Sequence, residues 1–316
     1  MIRHIVFFFI IIINIIFLNF FHQKKILNET KVIILPGMKL DQISNTLIEN
    51  SLIESNFLFS LWVKINFAEK NLKFGEYKFE DKVSVFEILK KLRKGETISR
   101  KITIIEGSSK NDLLNLLNEI DPENILSIED IPDKIVANTY FYSVTDKNDR
   151  ILKHIVKKSN NIIEKIWNNR DINSPLNTPN ELSILASIVE KETSLKDEKP
   201  LIAGVFYNRF KNNMRLQSDP TVVYAITQGK RKLNRKLLRK DLKIKSKYNT
   251  YSVKGLPPSP ICFPGIESLE GSANPIKSDF LYFVSNYTDG GHIFAKSYKE
   301  HLKNIKRVKN LRKEYE

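Results

Sequence analysis

At 316 residues and 41% hydrophobic side chains, the chain has material for two domains with real cores, which excludes a disordered protein. Its formal charge of +15 would suit nucleic acid or an anionic surface. However, Lys and Arg are scattered along a chain rich in Ile, Lys and Asn, no nucleic-acid motif accompanies them, and a general lysine bias with no nucleic-acid partner is the reading. Cys262 is the only cysteine, and the histidines (His4, His22, His154, His292, His301) lie far apart, so no disulfide within the chain, no metal site and no cofactor are expected.

Residues 5–21 form an apolar run broken only by Asn14 and Asn19, at the short end of the roughly 17–25 residues that span a bilayer. No Ala, Gly or Ser occurs between Ile5 and Gln23, so no small-residue cleavage site follows. The reading is an uncleaved single-pass anchor over residues 1–25. Arg3 on one side and Lys24 and Lys25 on the other leave its orientation open on charge alone.

A weak repeat comes next. Ile34-Leu35-Pro36-Gly37 with Ile43 and Leu47 is echoed by Ile104-Ile105-Glu106-Gly107 with Leu113 and Leu117. Each copy predicts a short strand, a glycine turn and a helix. Residues 72–77 and 83–92 add a second strand and helix. Nothing in residues 30–97 converges on chemistry, so they read as a binding or spacing module. Residues 151–167 carry helical patterning, and Tyr140-Phe141-Tyr142 fit either a core or a sugar groove.

The stretch 178–219 is the candidate centre. Thr178 can cap a helix, Pro179 suits its first position, and Glu181 would complete a capping box. Leu182, Leu185, Ala186 and Val189 then form one apolar stripe with Glu190 on its edge. There, burial beside Ile188 and Val189 would raise a carboxyl pKa. Lys191 and Glu192 are expected on other faces, where loss of Glu192 should cost far less.

Pro200 opens a second helix carrying Ile202, Val205, Phe206 and Arg209. Asp219-Pro220 reads as a turn before an ordered element at residues 221–224. Tyr248-Asn249-Thr250-Tyr251 combines aromatic faces with an amide, a mixture suited to stacking on sugars and binding their hydroxyls. Residues 255–260 read as a rigid loop. Residues 280–285 and 292–296 alternate as strands around Asp289-Gly290-Gly291, and the basic end from Lys299 reads as a solvated helix.

The segments LASIVEKET, AGVFYNRF, MRLQSDPTVVYA, YNTYSVKGLPPSPI and LYFVSNYTDGGHIF fall in one order across residues 182–294. Together they resemble the endolytic murein transglycosylase (YceG-like) family, and LKFGEYKF and VFEILKKLRKGE match its N-terminal part more loosely. The resemblance implies an α+β protein: a transmembrane helix, a small LysM-like β-α module over 30–97 and a mixed α+β catalytic domain over 98–316. It further implies a cell inner-membrane enzyme facing the periplasm that cleaves the MurNAc–GlcNAc bond of peptidoglycan, leaving 1,6-anhydro-MurNAc ends. Its partners would be glycan strands, the lipid bilayer through residues 5–21 and cell-wall synthases.

The family's catalytic glutamate maps onto Glu190, and Gln217, Asp219, Tyr224, Tyr248, Asn249 and Tyr251 are the candidates to hold sugars. Two departures stand out. Phe263-Pro264-Gly265 has Phe where the family often has a small polar residue, and the family's aromatic segment near residue 140 is degenerate. A single acid suffices for a transglycosylase, which passes one proton to the leaving oxygen and takes another from the sugar's C6 hydroxyl. The rivals are a hydrolase with Asp219 as second carboxylate and a wall-binding protein without activity.

Overall fold

The computed structural model describes residues 24–25, 29–80, 82–286 and 290–315. The expected anchor at 5–21 lies outside them, and among the described residues no helix is long and apolar enough to cross a membrane. In chain order the first elements are β1 (Lys24–Lys25), β2 (Thr30–Ile34), α1 (Leu40–Glu49), α2 (Asn56–Ile65), β3 (Gly75–Phe79), β4 (Lys82–Val83), α3 (Val85–Lys94), β5 (Arg100–Thr103), α4 (Lys110–Ile120) and β6 (Thr139–Tyr142). There follow α5 (Asn148–Asn168), α6 (Pro179–Glu192), α7 (Lys199–Lys211), α8 (Asp219–Thr227), α9 (Ile266–Ala273), β7 (Tyr282–Ser285), β8 (His292–Ala295) and α10 (Tyr298–Tyr315). The architecture is mixed α+β with two-stranded sheets.

The chain divides into two compact units, one of residues up to Ile102 with Phe141–Asp146, the other of Thr103–Tyr140 with Lys147–Glu316. In the first, β2 runs antiparallel to β3, Thr30 opposite Phe79 and Ile34 opposite Gly75. Alternation buries Val32 and Ile34 on one face, where they meet Leu47, Phe59, Val63, Tyr77, Phe79, Ile88 and Leu92. Each such side chain contributes about 1.5–3 kcal/mol. Ser84 and Glu87 close a capping box on α3, and Gly95 at φ +70° ends it. The two glycine turns expected from the repeat are present: Gly37 (φ +82°) precedes α1 and Gly107 (φ +76°) precedes α4.

The second unit is built around α6. Thr178 caps it by accepting from the Glu181 N–H. The Glu181 carboxylate reaches past Thr178 to the Asn177 N–H at 2.6 Å, so the box is displaced by one residue. The expected one-sided stripe is not what forms. Every residue from Leu182 to Val189 is buried, because α5, α7, α8 and α9 pack on α6 from different sides. Two glycines permit the closest approaches. A Cβ on Gly271 of α9 would sit 3.0 Å from the Pro200 nitrogen at the start of α7, and one on Gly204 only 2.4 Å from the Ile276 carbonyl oxygen. Tyr140 is core, its hydroxyl donating to Val136 O at 2.7 Å. The expected hairpin forms as β7–β8, with Tyr282 opposite Ala295.

Candidate active site

The last turn of α6 carries two glutamates in different surroundings. Glu190, nearly inaccessible, has the Lys199 Nζ 3.2 Å from both of its oxygens. Its Oε2 also accepts from the Gly265 N–H at 2.9 Å and the Ser268 hydroxyl at 2.6 Å. The partly apolar helix edge expected for this carboxyl is therefore replaced by a cage of three donors. The reason is positional: with α6 surrounded, its edge meets the first residue of α7 and the start of α9 rather than solvent. Lys199 is 1% exposed, so the two form a buried ion pair. Glu106 stands 3.6 Å from the same ammonium, and its own carboxyl is held above the usual range by burial and by the charge of Glu190.

Glu192, the final residue of α6, is half-buried, and among the described residues no ammonium pairs with it. Its Oε1 accepts from the Ser218 hydroxyl at 2.5 Å. Burial pushes its pKa up to about 7; the Ser218 bond opposes the shift, the Asp219 charge adds to it, and Arg209 opposes it again. Arg209 is buried and fixed by donating to Leu281 O at 2.7 Å and Leu216 O at 2.5 Å. Asp219 and Pro220 do not make the expected turn but open α8, where proline's preset φ suits the first helical turn. Asp219 thereby places its carboxylate at the positive end of α8 and accepts from the Tyr251 hydroxyl at 2.7 Å. Burial and that bond raise the Tyr251 phenol well above its ordinary range.

A cleft of about 910 Å³ opens beside this helix end, lined by Glu106, Lys191, Asp219, Tyr224 and Ile261 and by residues of the segment 229–237. Of the candidates named from sequence, Asp219 and Tyr224 line it. Tyr251 stands behind Asp219, and Tyr248 behind Tyr224, their rings 4.7 Å apart, with the Tyr248 hydroxyl bonded to Ser259. Gln217 is exposed, outside the lining, with left-handed backbone at φ +48°. Asn249 requires correction as a sugar ligand. It is fully buried, its amide donates to Leu242 O and Ile244 O, and its oxygen accepts from the Tyr251 N–H. All its polar capacity serves the loop that presents Tyr251. Phe263 is buried and exchanges backbone bonds with Gly107 and Ser108, an arrangement its side chain does not dictate. Among the described residues no group of three His, Cys, Asp or Glu side chains could hold a metal ion.

The sequence assigned no functional role to Glu192, Ser218, Arg209 or Lys199. One signal for Glu192 was present. A carboxylate in the last turn of a helix faces the negative end of the dipole, which disfavours its charge.

Residues 32–307 match the model of the YceG-like family. An endolytic murein transglycosylase of Bacillus subtilis (strain 168) is 31% identical over 84% of this chain and 81% of its own length. One from Streptococcus pneumoniae is 30% identical over 85% of this chain, which spans only 56% of that protein. A yceG-like protein of Listeria monocytogenes, solved by crystallography, is similar with a TM-score of 0.55 at 29% identity, covering 89% of this chain and 99% of that one.

Proposed function

The chain belongs to the YceG-like family, and from that premise we propose that it is an endolytic peptidoglycan lytic transglycosylase whose proton-transfer group is Glu192. The observation that carries the assignment is the placing of the Glu192 carboxyl. It follows Lys191 of the cleft wall and bonds the Ser218 hydroxyl, next in the chain to Asp219 of that wall, with burial raising its pKa to about 7, whereas the Glu190 carboxyl is bound to a buried ammonium. An acid that must donate and then recover a proton works best with a pKa near the operating pH. Glu190, to which the resemblance pointed, instead positions the site. Through Lys199, Gly265 and Ser268 it ties α6 to the starts of α7 and α9.

The reaction runs in two proton movements. Protonated Glu192 donates to the oxygen linking MurNAc C1 to GlcNAc O4, and the C1–O bond breaks as GlcNAc leaves with the proton. Positive charge spreads over C1 and the ring oxygen, in the field of Asp219. The C6 hydroxyl of the same MurNAc then attacks C1 while the Glu192 carboxylate takes its proton. A 1,6-anhydro ring closes, no water is consumed, and Glu192 is again protonated. Tyr224 offers a ring face to the sugars, and Tyr251 holds the Asp219 carboxylate in place.

The relatives named endolytic murein transglycosylases support cleavage within strands. The apolar run at 5–21 supports a single-pass anchor in the cell inner membrane, with the cleft on the periplasmic side and cell-wall synthases as neighbours. The β-α-α-β order of β2, α1, α2 and β3 supports a LysM-like glycan-binding module. The test of the assignment is strand cleavage by Glu192→Gln beside Glu190→Gln, the first inactive and folded, the second losing stability.

A further inference from the structure

The positive charge is not as evenly scattered as the sequence suggested. Residues 230–247 hold ten Lys and Arg against one acid, Asp241, and the first part of this segment, from Lys230 to Leu237, lines the cleft. Its start is pinned there. Gln228 and Gly229 both take left-handed backbone and turn the chain sharply off the end of α8, and Gly229 O accepts from the Asn111 amide at the start of α4. A Cβ on Gly229 would meet the Tyr224 ring at 3.3 Å. Further on, Arg235 is fixed by a two-pronged bond to Asp241.

The charges lining the cleft are unequally engaged. Glu106 is near Lys199, Asp112 accepts from the Ser109 N–H and hydroxyl, and Asp219 accepts from Tyr251. In contrast, Lys191, Lys230, Arg231 and Lys232 line the same cleft, and among the described residues none has an acidic partner. Cations held at the mouth of a cleft without partners are suited to an anionic ligand.

The geometry points to a binding site for the peptide carboxylates of the substrate, formed by Lys230, Arg231 and Lys232 on the cleft rim. It rests on the transglycosylase reading of this cleft. The sugars of a glycan strand carry no charge beyond what their substituents bring. Peptidoglycan peptides branch from the lactyl group of MurNAc, the sugar whose C1 bond is cut, and they bear free carboxylates. A strand seated with MurNAc C1 at Glu192 therefore sends its charged branch out of the cleft, toward the rim. The consequence is a preference for peptide-bearing strands over stripped ones.

The test uses the full-length protein in detergent, with glycan strands carrying their peptides and the same strands stripped by an amidase, the lactyl carboxylates this leaves being capped as methylamides. Wild-type KM is expected to be about tenfold lower for the peptide-bearing strands, the order given by three exposed ion pairs, and added salt should shrink the difference. In the variant Lys230→Gln/Arg231→Gln/Lys232→Gln the ratio of the two KM values should fall to about one, with the melting temperature retained. A ratio that survives the triple substitution would overturn the proposal, as would an equal KM rise on both substrates. Loss of binding to phosphatidylglycerol vesicles with the ratio intact would also overturn it, assigning the rim to the membrane surface. A wild type that cleaves neither substrate would instead defeat the transglycosylase reading, together with the preference built on it.

Discussion

Ser218 stands at the N-terminal cap of α8, yet its hydroxyl is spent on the Glu192 carboxyl of α6, and it makes no side-chain cap for its own helix. The cap is worth about 1 kcal/mol to an ordinary helix. Here the hydroxyl instead joins two helices at the carboxyl with the pKa near neutrality. A buried chain of hydroxyls backs it: the Ser218 N–H donates to Thr250 Oγ1, which lies 2.8 Å from Thr221 Oγ1.

Glu192→Gln should fold normally and lose strand cleavage by at least about a hundredfold, the usual scale for removing a general acid–base group. Glu190→Gln should act through stability. It leaves the buried Lys199 ammonium with only the more distant and more exposed Glu106 carboxylate, a loss on the order of 3 kcal/mol, visible as a lowered melting temperature. If Glu190→Gln proved fully stable and inactive while Glu192→Gln kept wild-type turnover, the roles would be reversed.

The pH dependence follows from the raised Glu192 carboxyl, about 7 in the folded chain against an ordinary 4.5. Below pH 4.5 the group is protonated whether folded or not, and its contribution to stability is fully present. Between 4.5 and 7 the unfolded chain ionises freely while the folded one resists, so stability falls by roughly 3 kcal/mol across that window. Glu192→Gln should flatten this slope, measured by denaturant unfolding at a series of pH values. Cleavage should decline above about pH 7 as the donor proton is lost; activity rising steadily to pH 9 would contradict the role.

Ser218→Ala removes a donor that favours the charged form of Glu192. The alkaline limb of the activity profile should therefore move to higher pH, with maximal turnover reduced by about tenfold or less. A limb shifted downward, or unmoved, would show that Ser218 does not act through Glu192.

Much of the local structure was legible because its causes are local. Thr178 and Pro179 start α6 with groups no more than a few residues apart, and Gly37 and Gly107 turn the chain where no side chain is tolerated cheaply. What was illegible depended on the surroundings of each helix. Choosing Glu190 over Glu192 by helix face presumes one buried side, and α6 is buried on all sides. Asn249 had the composition of a sugar ligand, but its partners Leu242 and Ile244 are backbone carbonyls that no sequence pattern marks. Lys199 reads as a surface lysine at a helix start; only the approach of α9, permitted by Gly271, makes it a buried counter-ion.

Gly204→Ala tests the packing that brings these elements together. Its Cβ would press on the Ile276 carbonyl at 2.4 Å, a backbone group with little freedom to move. The expected cost is about 1–3 kcal/mol in thermal or denaturant unfolding. An unchanged melting temperature would mean that the 274–278 segment yields readily.

The most direct test of the account is the mass of the products released by the purified wild-type protein from intact glycan strands. Attack by the C6 hydroxyl predicts 1,6-anhydro-MurNAc ends, each lighter by one water than a reducing end, and the same ends in whatever product Asp219→Asn still forms. Reducing ends from the wild type would contradict it, making water the nucleophile and Asp219 its base or covalent partner.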